Sequence, residues 1–289
     1  MKILVTGKTG QVGYELERSL QGLGEVIAVD RNQMDLSDLV QVRDVIRAIK
    51  PNLIVNPAAY TAVDKAETDS ELAMRVNGEA PGVMAEEARK LGAAMIHYST
   101  DYVFDGSKNT PYTESDSTCP INVYGASKLA GEQAIQVAGI PHLILRTSWV
   151  YGARGKNFLL TVLRLAQDRS ELRIVGDQHG APTWCRTIAD TTAHIVAQAF
   201  SAQDQNAWWQ EKSGLYHLTA QGQTTWAGFT EAILANATMP KKPIVTAITT
   251  QEYPLPAKRP GYSVISCEKL IEAFCGLPSW EAGLRLCQE

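Results

Sequence analysis

Tyr124 stands four residues before Lys128 in the run Tyr-Gly-Ala-Ser-Lys. On a helix that spacing sets a phenol and an ammonium one turn apart on one face. A free phenol titrates near ~10 and keeps its proton at neutral pH. A neighbouring ammonium favours the phenolate and lowers that pKa, which makes Tyr124 a usable general acid or base. An ordinary exposed helix pair has the same spacing. What sets this one apart is a glycine loop at the amino terminus, Gly7-Lys-Thr-Gly10-Gln11-Val12-Gly13. Beside a nucleotide loop, a tyrosine acid points to hydride chemistry.

The loop follows Lys2-Ile-Leu-Val-Thr6, a short apolar run that reads as a buried parallel strand. Residues 12–23 then read as a helix with Val12, Leu16 and Leu20 on one stripe. Gly7 allows a tight turn, Gly10 lets backbone approach a pyrophosphate, and Gly13 lets helix pack on strand. Gln11 and Val12 open that helix, where free N–H groups suit phosphate oxygens. The next strand, 25–30, ends in Asp30, about twenty residues on from the loop. Its carboxylate suits the adenine ribose hydroxyls of NADH, whereas Arg31 suits the 2′-phosphate of NADPH. The two signals compete, so use of either cofactor is expected. Asp35 and Leu36 fall where the following loop would border the adenine ring.

A third constellation is His97-Tyr98-Ser-Thr100-Asp101-Tyr102-Val-Phe-Asp-Gly106, polar for the end of a strand. Thr100 could donate its hydroxyl to a substrate carbonyl alongside Tyr124. Asp101 and Tyr102 could contact substrate hydroxyls or tune the local pKa. The plainer alternative is a loop whose Ser and Thr satisfy backbone groups. The five histidines show no metal-ligand spacing.

These residues need a scaffold, and the first half of the chain supplies one. Helices are expected at 39–49, 70–91 and 122–137, and strands at 52–56, 93–99 and 142–147. That alternation implies an α/β fold, a doubly wound parallel (Rossmann) sheet with right-handed crossovers. Ligands bind at the carboxyl ends of such strands. After Trp149 the rhythm changes and Gly, Pro and Trp become frequent. Shorter helices are expected at 157–167, 225–235 and 268–274, with Trp208 and Trp209 in a polar loop, 201–213. Residues 1–148 therefore read as an NAD(P)-binding domain and 149–289 as a smaller substrate-binding domain. An amphipathic helix at 187–200 is expected to return to the first.

A net charge of -4 gives no reason to expect a nucleic-acid partner. The 5 cysteines are scattered without a CxxC pair, as in reduced thiols of a cytoplasmic protein. No apolar stretch approaches the ~18 residues of a membrane span, so no membrane partner is expected. Met1-Lys2 leads straight into a strand, so no signal peptide is expected either.

The chain resembles the extended short-chain dehydrogenase/reductase family, and within it the branch that reduces dTDP-linked keto sugars. The matching runs are the glycine loop, Val-Asn-Pro-Ala-Ala-Tyr-Thr-Ala-Val-Asp-Lys-Ala-Glu67, Ser-Thr-Asp-Tyr-Val-Phe-Asp-Gly106 and Asn-Val-Tyr-Gly-Ala-Ser-Lys-Leu-Ala-Gly-Glu132. Arg-Thr-Ser-Trp-Val-Tyr-Gly152, Gly-Ala-Pro-Thr183 and Arg-Pro-Gly-Tyr-Ser263 extend the resemblance over nearly the whole chain. It implies Thr100, Tyr124 and Lys128 as the catalytic set. NAD(P)H would deliver hydride to C4 of dTDP-4-dehydro-L-rhamnose, giving dTDP-L-rhamnose for cell-surface polysaccharide. Lys128 would also hold the nicotinamide ribose, and Ala59, Tyr60, Thr61 and Tyr98 would line the cofactor. Asp101, Tyr102 and Trp149 would touch the sugar, and Arg259 the diphosphate, which a planar guanidinium suits. The resemblance also implies a homodimer, in some members with magnesium (Mg2+) at the subunit contact. Glu15 and Asp190 are the only candidate acids, and no ligand set follows from them.

Two other readings share parts of this pattern. A nucleotide-sugar epimerase or 4,6-dehydratase keeps the Tyr/Lys pair. A dehydratase also places an Asp-Glu pair after the threonine, and Thr100-Asp101-Tyr102 lacks the second acid. A non-catalytic NADP-binding regulatory subunit would keep the glycine loop without needing Thr100, Tyr124 and Lys128.

Overall fold

In the computed structural model, which describes residues 1–289, the apolar runs of the first half assemble into one parallel sheet. Its strands are β1 (Lys2–Val5), β2 (Glu25–Ala28), β3 (Leu53–Asn56), β4 (Ala94–Thr100) and β5 (His142–Thr147). They lie in the order β2-β1-β3-β4-β5, and Gly214–His217 adds a sixth strand beyond β5. Strand side chains alternate between faces. Ile3, Val5, Leu53, Val55, Ile96 and Leu145 enter one core, whereas Leu4, Ile54, Met95 and Ile144 enter the other. From β1 the chain passes to β2 on one side and then crosses back to β3 on the other. The loops after β1 and β3 therefore part, opening the crevice where such sheets bind ligands.

Helix α1 (Gln11–Ser19) and the helix Cys185–Ser201 cover the first core. The second is covered by α2 (Leu39–Ile49) and, beyond the short α3 (Val63–Ala66) and α4 (Ser70–Met74), by α5 (Ala80–Leu91) and α6 (Val123–Ala138). The expected right-handed crossovers hold as far as β5. The return to Gly214–His217 passes over the α1 face instead of the α5–α6 face, so this last crossover has the opposite hand.

Local chemistry sets the helix boundaries that matter for the site. Asn122 caps α6 by accepting from the Gly125 N–H at 2.7 Å. A buried bidentate pair, Arg146 to Glu132 at 2.9 and 2.7 Å, pins α6 to β5. The single helix expected over 70–91 is broken by a π turn, Arg75–Glu79. Its wider turn brings buried Asn77 against the Tyr60 backbone and the Ser127 hydroxyl, contacts that offset the irregularity.

A second lobe has its own core, with Tyr151, Leu159, Val162, Phe229, Ile233 and Trp280 at its centre. It is built by helices Phe158–Asp168, Trp226–Asn236 and Trp280–Gln288 and the paired strands Glu171–Val175 and Ile244–Ile248. The polar loop expected at 201–213 is a helix, Gln205–Lys212, capped by Asp204 at 3.0 Å from the Ala207 N–H. Trp209 enters the first core and Trp208 packs against it, so the pair is structural.

Candidate active site

The glycine loop leaves β1 and turns into α1, and no side chain caps the first N–H groups of that helix. A Cβ on Gly13 would overlap the Gly7 carbonyl, and one on Gly7 would press on Ala58 at 3.0 Å, at a φ of +59°. Bare backbone at a helix start fits a dinucleotide diphosphate. Gln11 has a further task. Its Oε1 accepts from Asn157 at 2.9 Å, tying the loop to the second lobe. Val12 packs on the first core.

Past β2, Asp30 accepts from the Asn32 and Gln33 N–H groups at 2.9 and 3.2 Å, with Lys8 Nζ 3.8 Å away. Arg31 is mostly exposed, its Nε 3.2 Å from Asp35. Acid and base thus share one rim, which suits either a ribose hydroxyl or a 2′-phosphate. Leu36 does not line that rim: it is buried in the second core with Met34. In the loop after β3, Ala59 is half-buried and Thr61 exposed. Tyr60 is fixed at both ends, its N–H on Asn77 at 2.8 Å and its hydroxyl on Asp69 at 3.1 Å.

Thr100 closes β4. Its hydroxyl accepts from the Tyr102 N–H at 3.1 Å and donates to Asp101 at 3.0 Å. Tyr124, on the first turn of α6, meets Tyr102 edge to face at 6.1 Å. Burial pushes the Tyr124 phenol up to about 12; the Thr100 hydroxyl opposes the rise and Asp101 adds to it. The expected lowering by Lys128 does not act on the phenol here: desolvation dominates, and Tyr124 holds its proton at neutral pH. Burial pushes Lys128 down to about 8, against an upward pull from Glu132. Its amine donates to the Tyr98 carbonyl at 2.5 Å and lies 3.3 Å from His97 Nε2.

Three expected contacts are placed differently. The Tyr98 side chain occupies the opposite face of β4 from Lys128, its hydroxyl 2.7 Å from Thr192, so only its carbonyl reaches the site. Strand alternation is the cause. Asp101 lies buried beneath Thr100, where burial lifts its carboxyl to about 7 against the Ser263 and Thr100 hydroxyls. It orients Thr100 rather than opening onto the crevice. Arg259 directs both terminal nitrogens onto Asp64 of α3, at 2.6 and 2.7 Å. Trp149 holds a strained φ of +46° and stacks on Trp226 with centroids 3.5 Å apart.

Motif reading assigns no role to Asn56, Asp64, Asn77, His97 or Trp226, although Asn56 and Asp64 lie inside the Val-Asn-Pro to Glu67 run and His97 opens the third constellation. No three His, Cys, Asp or Glu side chains gather as a metal set. Asp190 accepts from the Ser19 hydroxyl at 2.6 Å, so one chain does not by itself fit magnesium. A cavity of about 450 Å³ between Asn109–Pro111 and Tyr262–Glu268 contains neither Tyr124 nor Lys128.

A doubly wound sheet with a bare glycine loop and a Tyr-x-x-x-Lys helix at its carboxyl edge defines an oxidoreductase of the short-chain dehydrogenase/reductase type. The family model described as the RmlD substrate binding domain matches residues 1–289, and the chain belongs to that family. It is 51% identical to a dTDP-4-dehydrorhamnose reductase of Burkholderia thailandensis, over 99% of this chain and 98% of that one. A Bacillus anthracis dTDP-4-dehydrorhamnose reductase solved in complex with NADP superposes with a TM-score of 0.90 at 34% identity, covering 99% of this chain and 98% of the other. A Thermus thermophilus UDP-glucose 4-epimerase, solved with NAD, shares the fold at a TM-score of 0.80 and 21% identity, covering 100% and 98%.

Proposed function

We propose that this chain reduces the C4 keto group of dTDP-4-dehydro-L-rhamnose to dTDP-L-rhamnose, using NADPH or NADH. The observation that carries the reading is the Thr100–Tyr124–Lys128 set at the end of β4, beside the uncapped start of α1. Identity of 51% to a named reductase supports the choice of substrate.

The nicotinamide cofactor, when bound, supplies a hydride. The chain's own residues do the rest. Gly7 to Gly13 and the start of α1 hold the diphosphate. The Lys128 amine meets the ribose hydroxyls. Tyr124 gives its proton to the C4 oxygen, and the Thr100 hydroxyl turns its one proton from Asp101 to the same oxygen when the sugar binds. The Lys128 charge stabilises the phenolate as it forms. Trp149, backed by Trp226, covers the sugar, and Arg259 meets the diphosphate from its station on Asp64.

Residues 1–148 with the helix Cys185–Ser201 and the segments 205–218 and 267–277 form the cofactor unit and the remainder of 149–289 the substrate unit, a division supported by their separate cores. The working form is a cytoplasmic homodimer, which light scattering of the purified chain checks.

The test is loss of NADPH absorbance with purified protein and dTDP-4-dehydro-L-rhamnose. Stoichiometric oxidation with dTDP-L-rhamnose as product is expected, and an NADH repeat ranks Asp30 against Arg31. Intact NADPH binding without oxidation would leave the epimerase or binding-only reading.

A further inference from the structure

A row of buried polar side chains runs under the site on the α6 face of the sheet. Thr6 extends β1, Asn56 ends β3, and the register pairs Asn56 with His97 of β4. All three are within 1% of full burial, and Lys128 is 2% exposed. The Thr6 hydroxyl accepts from the Ala58 N–H at 3.2 Å, which leaves its own proton for Asn56 Oδ1 at 2.6 Å. With its oxygen on the Thr6 hydroxyl, the amide turns its NH2 to His97 Nδ1 at 3.0 Å. Nδ1 is the acceptor in that arrangement, and in a neutral ring the proton sits on Nε2. Burial drives the His97 pKa well below its ordinary value, with the Lys128 charge adding to the effect, so the ring is neutral.

Nε2 lies 3.3 Å from Lys128 Nζ. An N–H aimed at an ammonium sets donor against donor. The same N–H aimed at a neutral amine finds its lone pair, while the amine still donates to the Tyr98 carbonyl. We propose that Thr6, Asn56 and His97 are positioning residues that hold a protonated Nε2 against Lys128, so that Lys128 is poised to release a proton to Tyr124. The inference rests on the reductase reading above. In each turnover the Tyr124 O–H bond breaks as the C4 oxygen takes the proton. The phenolate is refilled from the Lys128 ammonium, and the resulting amine regains its proton from water. An amine that accepts from His97 favours the middle step. The other ionisable group acting on Lys128 is Glu132 on α6, which is itself paired with Arg146 of β5.

Two measurements test this. Long-range 1H–15N spectra of histidine-labelled protein, with His97 assigned through its backbone, report the tautomer without any turnover. The expected state is Nε2–H at pH values between the ordinary histidine and lysine values, ~6.5 and ~10.4. A proton on Nδ1, or a charged ring, overturns the proposal. The second measurement is the alkaline limb of kcat against pH. In His97→Gln the amide oxygen can turn to the ammonium, and in Asn56→Asp the carboxylate draws the proton to Nδ1. Both changes should move the limb upward by about one pH unit or more. Variants that lose thermal stability yet keep the wild-type limb reduce His97 to packing and overturn the proposal. Failure of the reductase reading is separately visible, as wild-type protein that oxidises no NADPH.

Discussion

The Arg259 guanidinium closes on both carboxylate oxygens of Asp64, at 2.6 and 2.7 Å, joining α3 to the 257–263 segment. This bidentate geometry holds the guanidinium plane in one orientation at the rim of the crevice. Asp64 is 38% exposed, so the pair is worth about 1 kcal/mol or less in stability. Asp64→Asn should therefore cost only a few degrees in Tm, roughly 2–4 °C at most. It should still raise KM for the sugar nucleotide, because Arg259 loses its mooring. Arg259→Ala should raise KM about tenfold or more, the scale of a lost charged hydrogen bond, with a smaller change in kcat. Steady-state kinetics decide, and unchanged KM in both variants would remove Arg259 from the substrate site.

Gly13 packs against the Gly7 carbonyl with no room for a Cβ. Gly13→Ala should displace α1 from β1 and weaken NADPH binding by about tenfold or more, since the phosphate cradle is that same backbone. Fluorescence titration with NADPH measures it. Wild-type affinity in a folded variant would mean that the cofactor does not use this helix start.

Asp101 gives a signed pH prediction. Burial lifts its folded pKa to about 7, above the ~3.9 of an unfolded chain. The folded state therefore binds the extra proton. Stability from this group is complete below pH ~4 and is lost as pH rises to about 7. Asp101→Asn removes the titration, so the variant should gain on wild type as pH rises through that window, by on the order of a few kcal/mol. Denaturant melts of both proteins across the window give the difference. A flat difference would place the Asp101 carboxylate in better solvation than the fold implies.

Much of this site is local in sequence and was legible there. A strand, three glycines and a helix stripe lie within the first residues, and Tyr124 and Lys128 sit one helical turn apart whatever surrounds them. The His97 row was not legible, because it depends on parallel register. Asn56 meets His97 only once β3 and β4 align, and they are 41 positions apart. Tyr98 shows the same limit from the other side. Its neighbours Ala94 and Ile96 share its face of β4, and that face turns toward Cys185–Ser201, not α6. Residues 201–213 read as a polar loop in composition, but Asp204 is a helix cap that starts Gln205–Lys212. The strand Gly214–His217 is too short to show a period and exists because β5 offers it an edge.

Tyr124 is the proton donor on which the proposed reduction depends, and Tyr124→Phe tests that most directly. The substitution keeps the ring that meets Tyr102 and removes only the hydroxyl. Turnover of dTDP-4-dehydro-L-rhamnose should fall by about two orders of magnitude or more, the scale of a lost general acid, while NADPH binds as in wild type. Near-normal turnover with intact NADPH binding would contradict the account and send the search for the proton donor elsewhere.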